Sequence, residues 1–126
     1  MYSKYKRDNI SVSKDKKEIG IVINYPDILP NMYYISESGK VYSLANDSYI
    51  LWYIKNGIPY VNLKIKHGNG YTLEPCKIID LVACSYLKDS INLLNKGYHA
   101  AVIDGDQMNC HYKNLVYIKK DKCPVD

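Results

Sequence analysis

Tyr98-His99-Ala100-Ala101-Val102-Ile103-Asp104-Gly105-Asp106-Gln107-Met108-Asn109-Cys110-His111-Tyr112-Lys113-Asn114-Leu115-Val116-Tyr117-Ile118 decides how this chain is read. An apolar run leads into an Asp-Gly turn, a short polar segment follows, and a second apolar run closes the stretch. Turn residues between two β-prone runs predict two strands facing each other across a loop. Asp104 and Asp106 read as turn residues, because an aspartate beside glycine supplies both a side-chain acceptor and freedom at positive φ. His99 stands three positions before Val102, so a two-residue strand period puts the two on opposite faces. His111 falls in the loop, from which it could reach inward.

This stretch resembles the core of the HNH endonucleases of phages and mobile introns. In that family a strand carrying an acidic or amide residue and then His runs into Ile-Asp-Gly, followed by a polar loop with Asn, then Asn-Leu and a second strand. Ile103-Asp104-Gly105, Asn109 and Asn114-Leu115 stand at that spacing, so Asp104, Gly105, Asn109 and Asn114 are the fold signature. The catalytic positions are degenerate. The resemblance places Val102 where the family holds its general-base His, and Ala101 where a side-chain oxygen binds the metal. Hydrocarbon offers no lone pair to accept a proton or to coordinate a hard cation. A third family residue, on a helix after the second strand, would fall near Cys123, and Pro124 to Asp126 leave that helix no room. No catalytic residue, metal or cofactor is therefore expected. Asn114 is expected to brace the loop by hydrogen bonding.

Upstream, Met32 to Leu44 reads by itself as a hairpin with a Ser-Gly turn. Tyr34, Ile35, Ser36, Gly39, Lys40, Val41 and Ser43 also match the small DNA-binding module that often precedes the HNH core. Tyr49 to Lys55 and Ile58 to Lys66 flank Asn56-Gly57, a two-residue hairpin signal. In the second run Tyr60, Asn62, Lys64 and Lys66 alternate with Val61, Leu63 and Ile65, which predicts one wet and one buried face. His67 to Gly70 turns the chain again. Pro75 to Lys88 carries an apolar stripe at three- and four-residue spacing, with proline in the first turn, and reads as the main helix. In the family this helix usually reads Val-His-Arg-Leu-Val-Ala; here Ile79-Asp80 replaces the His-Arg pair. Asp89 to Gly97 is a linker with a helical turn at Ile91 to Leu94. Together the resemblance covers roughly residues 25 to 119.

The expected class is α+β: antiparallel hairpins packed on one main helix, with a truncated ββα-metal (HNH-like) hairpin near the C-terminus. The 126 residues suffice for one compact domain, parsed as a basic arm (1–17), a β-hairpin module (18–74) and a helix plus degenerate hairpin (75–126). Glu18 to Asn24 is the first strand, and Tyr25-Pro26 with Leu29-Pro30 then form a loop.

The formal charge of +4 resides in the arm. Lys4, Lys6, Arg7, Lys14, Lys16 and Lys17 oppose Asp8 and Asp15 there, whereas charges cancel from Glu18 onward. Such an arm either neutralises phosphates, with binding that weakens as salt rises, or is a solvated tail that keeps the protein soluble. Fourteen Tyr with one Trp and no Phe suit a half-exposed sheet, a binding face or an interface, and equally are sheet formers. Cys76, Cys84, Cys110 and Cys123 lack the paired spacing of a zinc site and read as free thiols in a reducing compartment, the cytoplasm. No apolar run is long enough for a signal peptide or a bilayer span.

Three functions follow in order. The first is an HNH-derived module that lost hydrolysis and keeps contact with DNA or RNA through the arm, the wet face (Tyr60, Lys64, Lys66) and the tail lysines Lys119, Lys120 and Lys122. The second is a nuclease scaffold reused for protein binding, as a phage inhibitor of a host enzyme or defence complex or as a subunit of a larger particle. The third is an active nuclease with rearranged groups.

Overall fold

The computed structural model describes residues 10–12, 18–28, 30 and 32–119. Alternating apolar and polar residues, cut by Gly, Asn and Asp turns, put a little under half of the described chain in antiparallel strands. Five short strands form the first sheet: β1 (Ile10–Val12), β2 (Glu18–Val22), β3 (Tyr33–Ile35), β4 (Val41–Ser43) and β5 (Ser48–Ile50), paired in chain order. A second sheet joins β6 (Tyr53–Lys55), β7 (Ile58–His67) and β8 (Gly70–Lys77), with β7 central. Two helices follow, α1 (Ile78–Tyr86) and α2 (Ser90–Asn95). The last ribbon pairs β9 (Tyr98–Val102) with β10 (Leu115–Lys119).

Helix α1 is the centre of the core. Ile78, Leu81 and Val82 on it are fully buried, together with Ile35 and Val41 of the first sheet and Val61 and Leu63 of the second. Ala100 and Leu115 of the last ribbon join the same cluster. Each such aliphatic side chain contributes about 1.5–3 kcal/mol relative to exposure, so α1 is held by what surrounds it from three sheets rather than by its nine residues' own propensity.

Four expectations change. The run Tyr49 to Lys55 is not one strand: it breaks at Leu51-Trp52, β5 pairing with β4 and β6 with β7. The Trp52 indole explains the break, because its N–H donates to the Gly39 carbonyl at 3.0 Å and its ring packs on the core, which leaves Leu51 86% exposed. The helix starts at Ile78 rather than Pro75. Pro75 lies in β8 opposite Asn62, and Cys76 opposite Val61. An edge strand tolerates a residue that cannot donate, and β8 is an edge. The expected division between 74 and 75 thus falls inside a strand. The arm also contributes β1, whose Ile10 pairs with Ile21. The linker's helical turn is a little longer than expected, and Gly97 (φ 91°) follows it.

Candidate nucleic-acid interface and the position of the nuclease-like hairpin

The β9–β10 ribbon pairs Val102 with Leu115, Ala101 with Val116 and His99 with Ile118. The loop between the strands is held by its own polar side chains. Asp104 Oδ1 accepts from the Asp106 N–H at 2.8 Å and from Asn114 Nδ2 at 3.0 Å. Asp104 Oδ2 accepts from Asn109 Nδ2 at 3.0 Å. Asn114 Nδ2 also donates to the Asn109 carbonyl at 2.9 Å, and Asn114 Oδ1 accepts from the Asp104 N–H at 3.2 Å. The backbone closes the ring, the Ile103 N–H donating to the Asn114 carbonyl at 2.8 Å. Gly105, at φ 80°, supplies the left-handed residue of the turn. These bonds, the one from the Asp106 N–H first and those from Asn109 and Asn114 after it, hold the Asp104 carboxyl below its ordinary pKa. Asp106 accepts in turn from the Met108 N–H.

Among the described residues, the loop's polar side chains are engaged with one another. Ala101 and Val102 present hydrocarbon at the two positions that the HNH resemblance assigns to metal ligand and base, and Val102 packs against the core. Both Asp104 oxygens already accept N–H groups of the loop. His99 lies on the alternate face of the ribbon from Val102, as its register opposite Ile118 requires. His111 turns elsewhere: its Nδ1 accepts from the Lys113 N–H at 3.1 Å, capping a short 3₁₀ turn, and its Nε2 stands 3.5 Å from Glu37. Among the described residues no three His, Cys, Asp or Glu side chains come together as a ligand set.

The upstream hairpin is tied to this loop. Ser36 Oγ accepts from the Lys40 N–H at 2.9 Å, which closes the Ser-Gly turn, and the Tyr112 N–H donates to the Glu37 carbonyl at 3.0 Å. Gly39, at φ 100°, lies where a Cβ would meet Ile78 Cγ2 at 2.5 Å. The hairpin therefore seats on α1 through the residues that make its motif. Between hairpin and loop runs an open, mainly apolar groove of about 780 Å³, lined by Val41, Tyr49, Trp52, Met108, Cys110 and His111 among others.

The second sheet carries the basic surface. Cross-strand partners share a face, and the register pairs Tyr53 with Tyr60, Lys55 with Ile58, Tyr60 with Lys77, Lys64 with Leu73 and Lys66 with Tyr71. One face therefore holds Lys55, Lys64, Lys66 and Lys77 with Tyr53, Tyr60 and Tyr71, and none of its strand residues is acidic. Tyr53 stacks on Tyr60 with centroids 5.8 Å apart, and its hydroxyl donates to Asn62. The sheet's carboxylate, Glu74, is on the other face. There it accepts from Thr72 at 2.7 Å and contacts His67 at 3.0 Å, and these partners, Thr72 first, lower its pKa. The backbone of Asp27 stands at one margin, its carbonyl accepting from the Lys66 N–H.

Of the interface residues expected from sequence, Tyr60, Lys64 and Lys66 come together on this face. Lys119 belongs to the β9–β10 ribbon, with its ammonium 5.7 Å from the centroid of the Tyr98 ring. Lys4, Lys6, Arg7, Lys14, Lys16, Lys17, Lys120, Lys122 and the degenerate position Cys123 lie outside the described residues. Sequence reasoning missed Tyr53, Lys55, Tyr71 and Lys77. Asn56-Gly57 implied the register that places the first two, whereas Lys77 was hidden by its assignment to a helix.

No family model and no curated protein matches the sequence. A solved structure of the HNH homing endonuclease I-HmuI, described for its DNA binding and cleavage, is similar in fold. The TM-score is 0.54 at 19% identity, over 72% of this chain and 48% of that one, so the likeness spans about half of the nuclease. The chain thus has an α+β architecture like that of an HNH homing endonuclease, with antiparallel sheets around a short central helix.

Proposed function

We propose that this chain is a nucleic-acid-binding module on an HNH-like scaffold that does not hydrolyse phosphodiesters. The observation that carries the reading is the second sheet's face, where four lysines and three tyrosines gather and the strands contribute no carboxylate. Such a face attracts phosphates by charge and offers rings to bases. The loss of hydrolysis rests on chemistry at two positions. Without a base at 102 and an oxygen ligand at 101, proton transfer and metal assistance are both missing, and a positioned base alone contributes about 10²–10⁴ in rate.

The test joins two measurements on the full chain. A plasmid-nicking assay with Mg²⁺ or Mn²⁺ is expected to show no cleavage; cleavage that Asn114→Ala abolishes would overturn the claim of inactivity. Fluorescence anisotropy with labelled DNA and RNA is expected to show binding that falls as salt rises. The Lys64→Glu, Lys66→Glu double variant should weaken it at least tenfold. Absent or salt-insensitive binding would overturn the nucleic-acid reading. In that event the apolar groove lined by Trp52, Met108 and the 86% exposed Leu51 favours a second reading, the scaffold reused to bind a protein.

A further inference from the structure

The tyrosines of the basic face ask for more than a phosphate partner. Lysines alone suffice to hold a duplex, whose bases are stacked on one another and present only their edges in the grooves. Here Tyr53 is 37% exposed, Tyr71 41% and Leu73 63%, on the same side as Lys55, Lys64 and Lys66. Ring faces and an aliphatic side chain gain little from a backbone, and gain most from bases whose flat faces are free. Tyr53 and Tyr60 already stack on each other, with planes 18° apart, the same kind of contact that a base makes with a tyrosine ring.

The spacing supports the same partner. Lys64 and Lys66 repeat every second residue along β7, about 6.7 Å apart at the rise of an antiparallel strand, a step suited to successive phosphates of a stretched strand. Tyr60 at one end of β7 and Tyr71, opposite Lys66 at the other, bracket that lysine row. Six residues of strand separate those ends, about 20 Å, which leaves room for several nucleotides between the two rings. Asn62, exposed midway and linked to the Tyr53 hydroxyl at 2.7 Å, adds an amide able to donate and accept at a base edge.

We infer that the β6–β8 face binds unpaired, single-stranded nucleic acid, with bases on Tyr53–Tyr60 and Tyr71 and the backbone along Lys64 and Lys66. The inference rests on the nucleic-acid reading above and narrows it to strands with free bases. Sequence preference is weak on such a platform, because every base has a π-face.

The experiment uses the full chain and three fluorescein-labelled probes of equal length: oligothymidylate, oligouridylate and a blunt DNA duplex. Anisotropy titrations at two salt concentrations are run on the wild type, Tyr53→Ala, Tyr71→Ala and the Lys64→Glu, Lys66→Glu variant, with circular dichroism confirming that each is folded. Either single strand is expected to bind more tightly than the duplex. Each tyrosine variant should lose about tenfold for single strands while keeping the salt slope, and the lysine variant should lose slope. Should duplex bind more tightly and ignore the tyrosine changes, the single-strand inference falls and the broader reading stands. Should no probe bind in a salt-dependent way, both fall.

Discussion

Asn114 shows how one side chain serves a whole loop. Its amide spans from Asp104 to the Asn109 carbonyl, so the two ends of the β9–β10 connection meet on a single residue. Asn114→Ala is expected to lower the stability of the protein, since it strips a donor from Asp104 and from the Asn109 carbonyl and leaves both to water. Urea unfolding of the two proteins at pH 7 measures it. The same pair predicts a pH dependence. The folded Asp104 pKa is lowered, so its contribution is present above the unfolded value near about 4 and is lost as pH falls through the lower folded value. The stability gap between wild type and Asn114→Ala should therefore narrow as pH falls below about 4. A gap unchanged down to pH 2 would rule out a charged Asp104 as the partner that matters.

At the scale of elements, the upstream hairpin and α1 meet through a glycine. Gly39 combines a positive φ with a neighbour that a Cβ could not clear, and its carbonyl accepts the Trp52 indole N–H. Gly39→Ala is expected to cost about 2–4 kcal/mol, from backbone strain plus overpacking against Ile78; the shift of the urea midpoint reports it. An effect below about 0.5 kcal/mol, the range of an ordinary surface change, would mean that hairpin and helix are not seated as described. The Gly39 requirement was legible as a turn signal in the sequence. Its packing role was not, because Ile78 lies 39 positions away.

Across the molecule, three cysteines spread over β8, α1 and the β9–β10 loop are buried in free form. Burial, the largest cause in each case, pushes Cys76, Cys84 and Cys110 up to about 11. At pH 8 only about one thiol in a thousand at each site is the reactive thiolate. A chromogenic disulfide reagent is expected to label these three sites slowly in the native protein and at once in denaturant, read site by site by mass spectrometry. Rapid native labelling at Cys84 would contradict the placement of α1 in the core.

Turns and their chemistry were decided by sequence alone. Asn56-Gly57, Ser38-Gly39 and Asp104-Gly105 carry local signals that need no distant partner, and so the hairpins and the α+β class were readable in the sequence. Wherever a residue's fate depended on remote atoms, tertiary structure decided. Pro75 is compatible with the first turn of a helix, yet pairing of Cys76 and Lys77 with β7 keeps the strand running to Lys77. Trp52 breaks a β-prone run because its indole finds Gly39 in the β3–β4 turn. The basic, aromatic face likewise exists only once β6, β7 and β8 are in register, since a strand period tells which residues share a side but not which side of a neighbouring strand they meet.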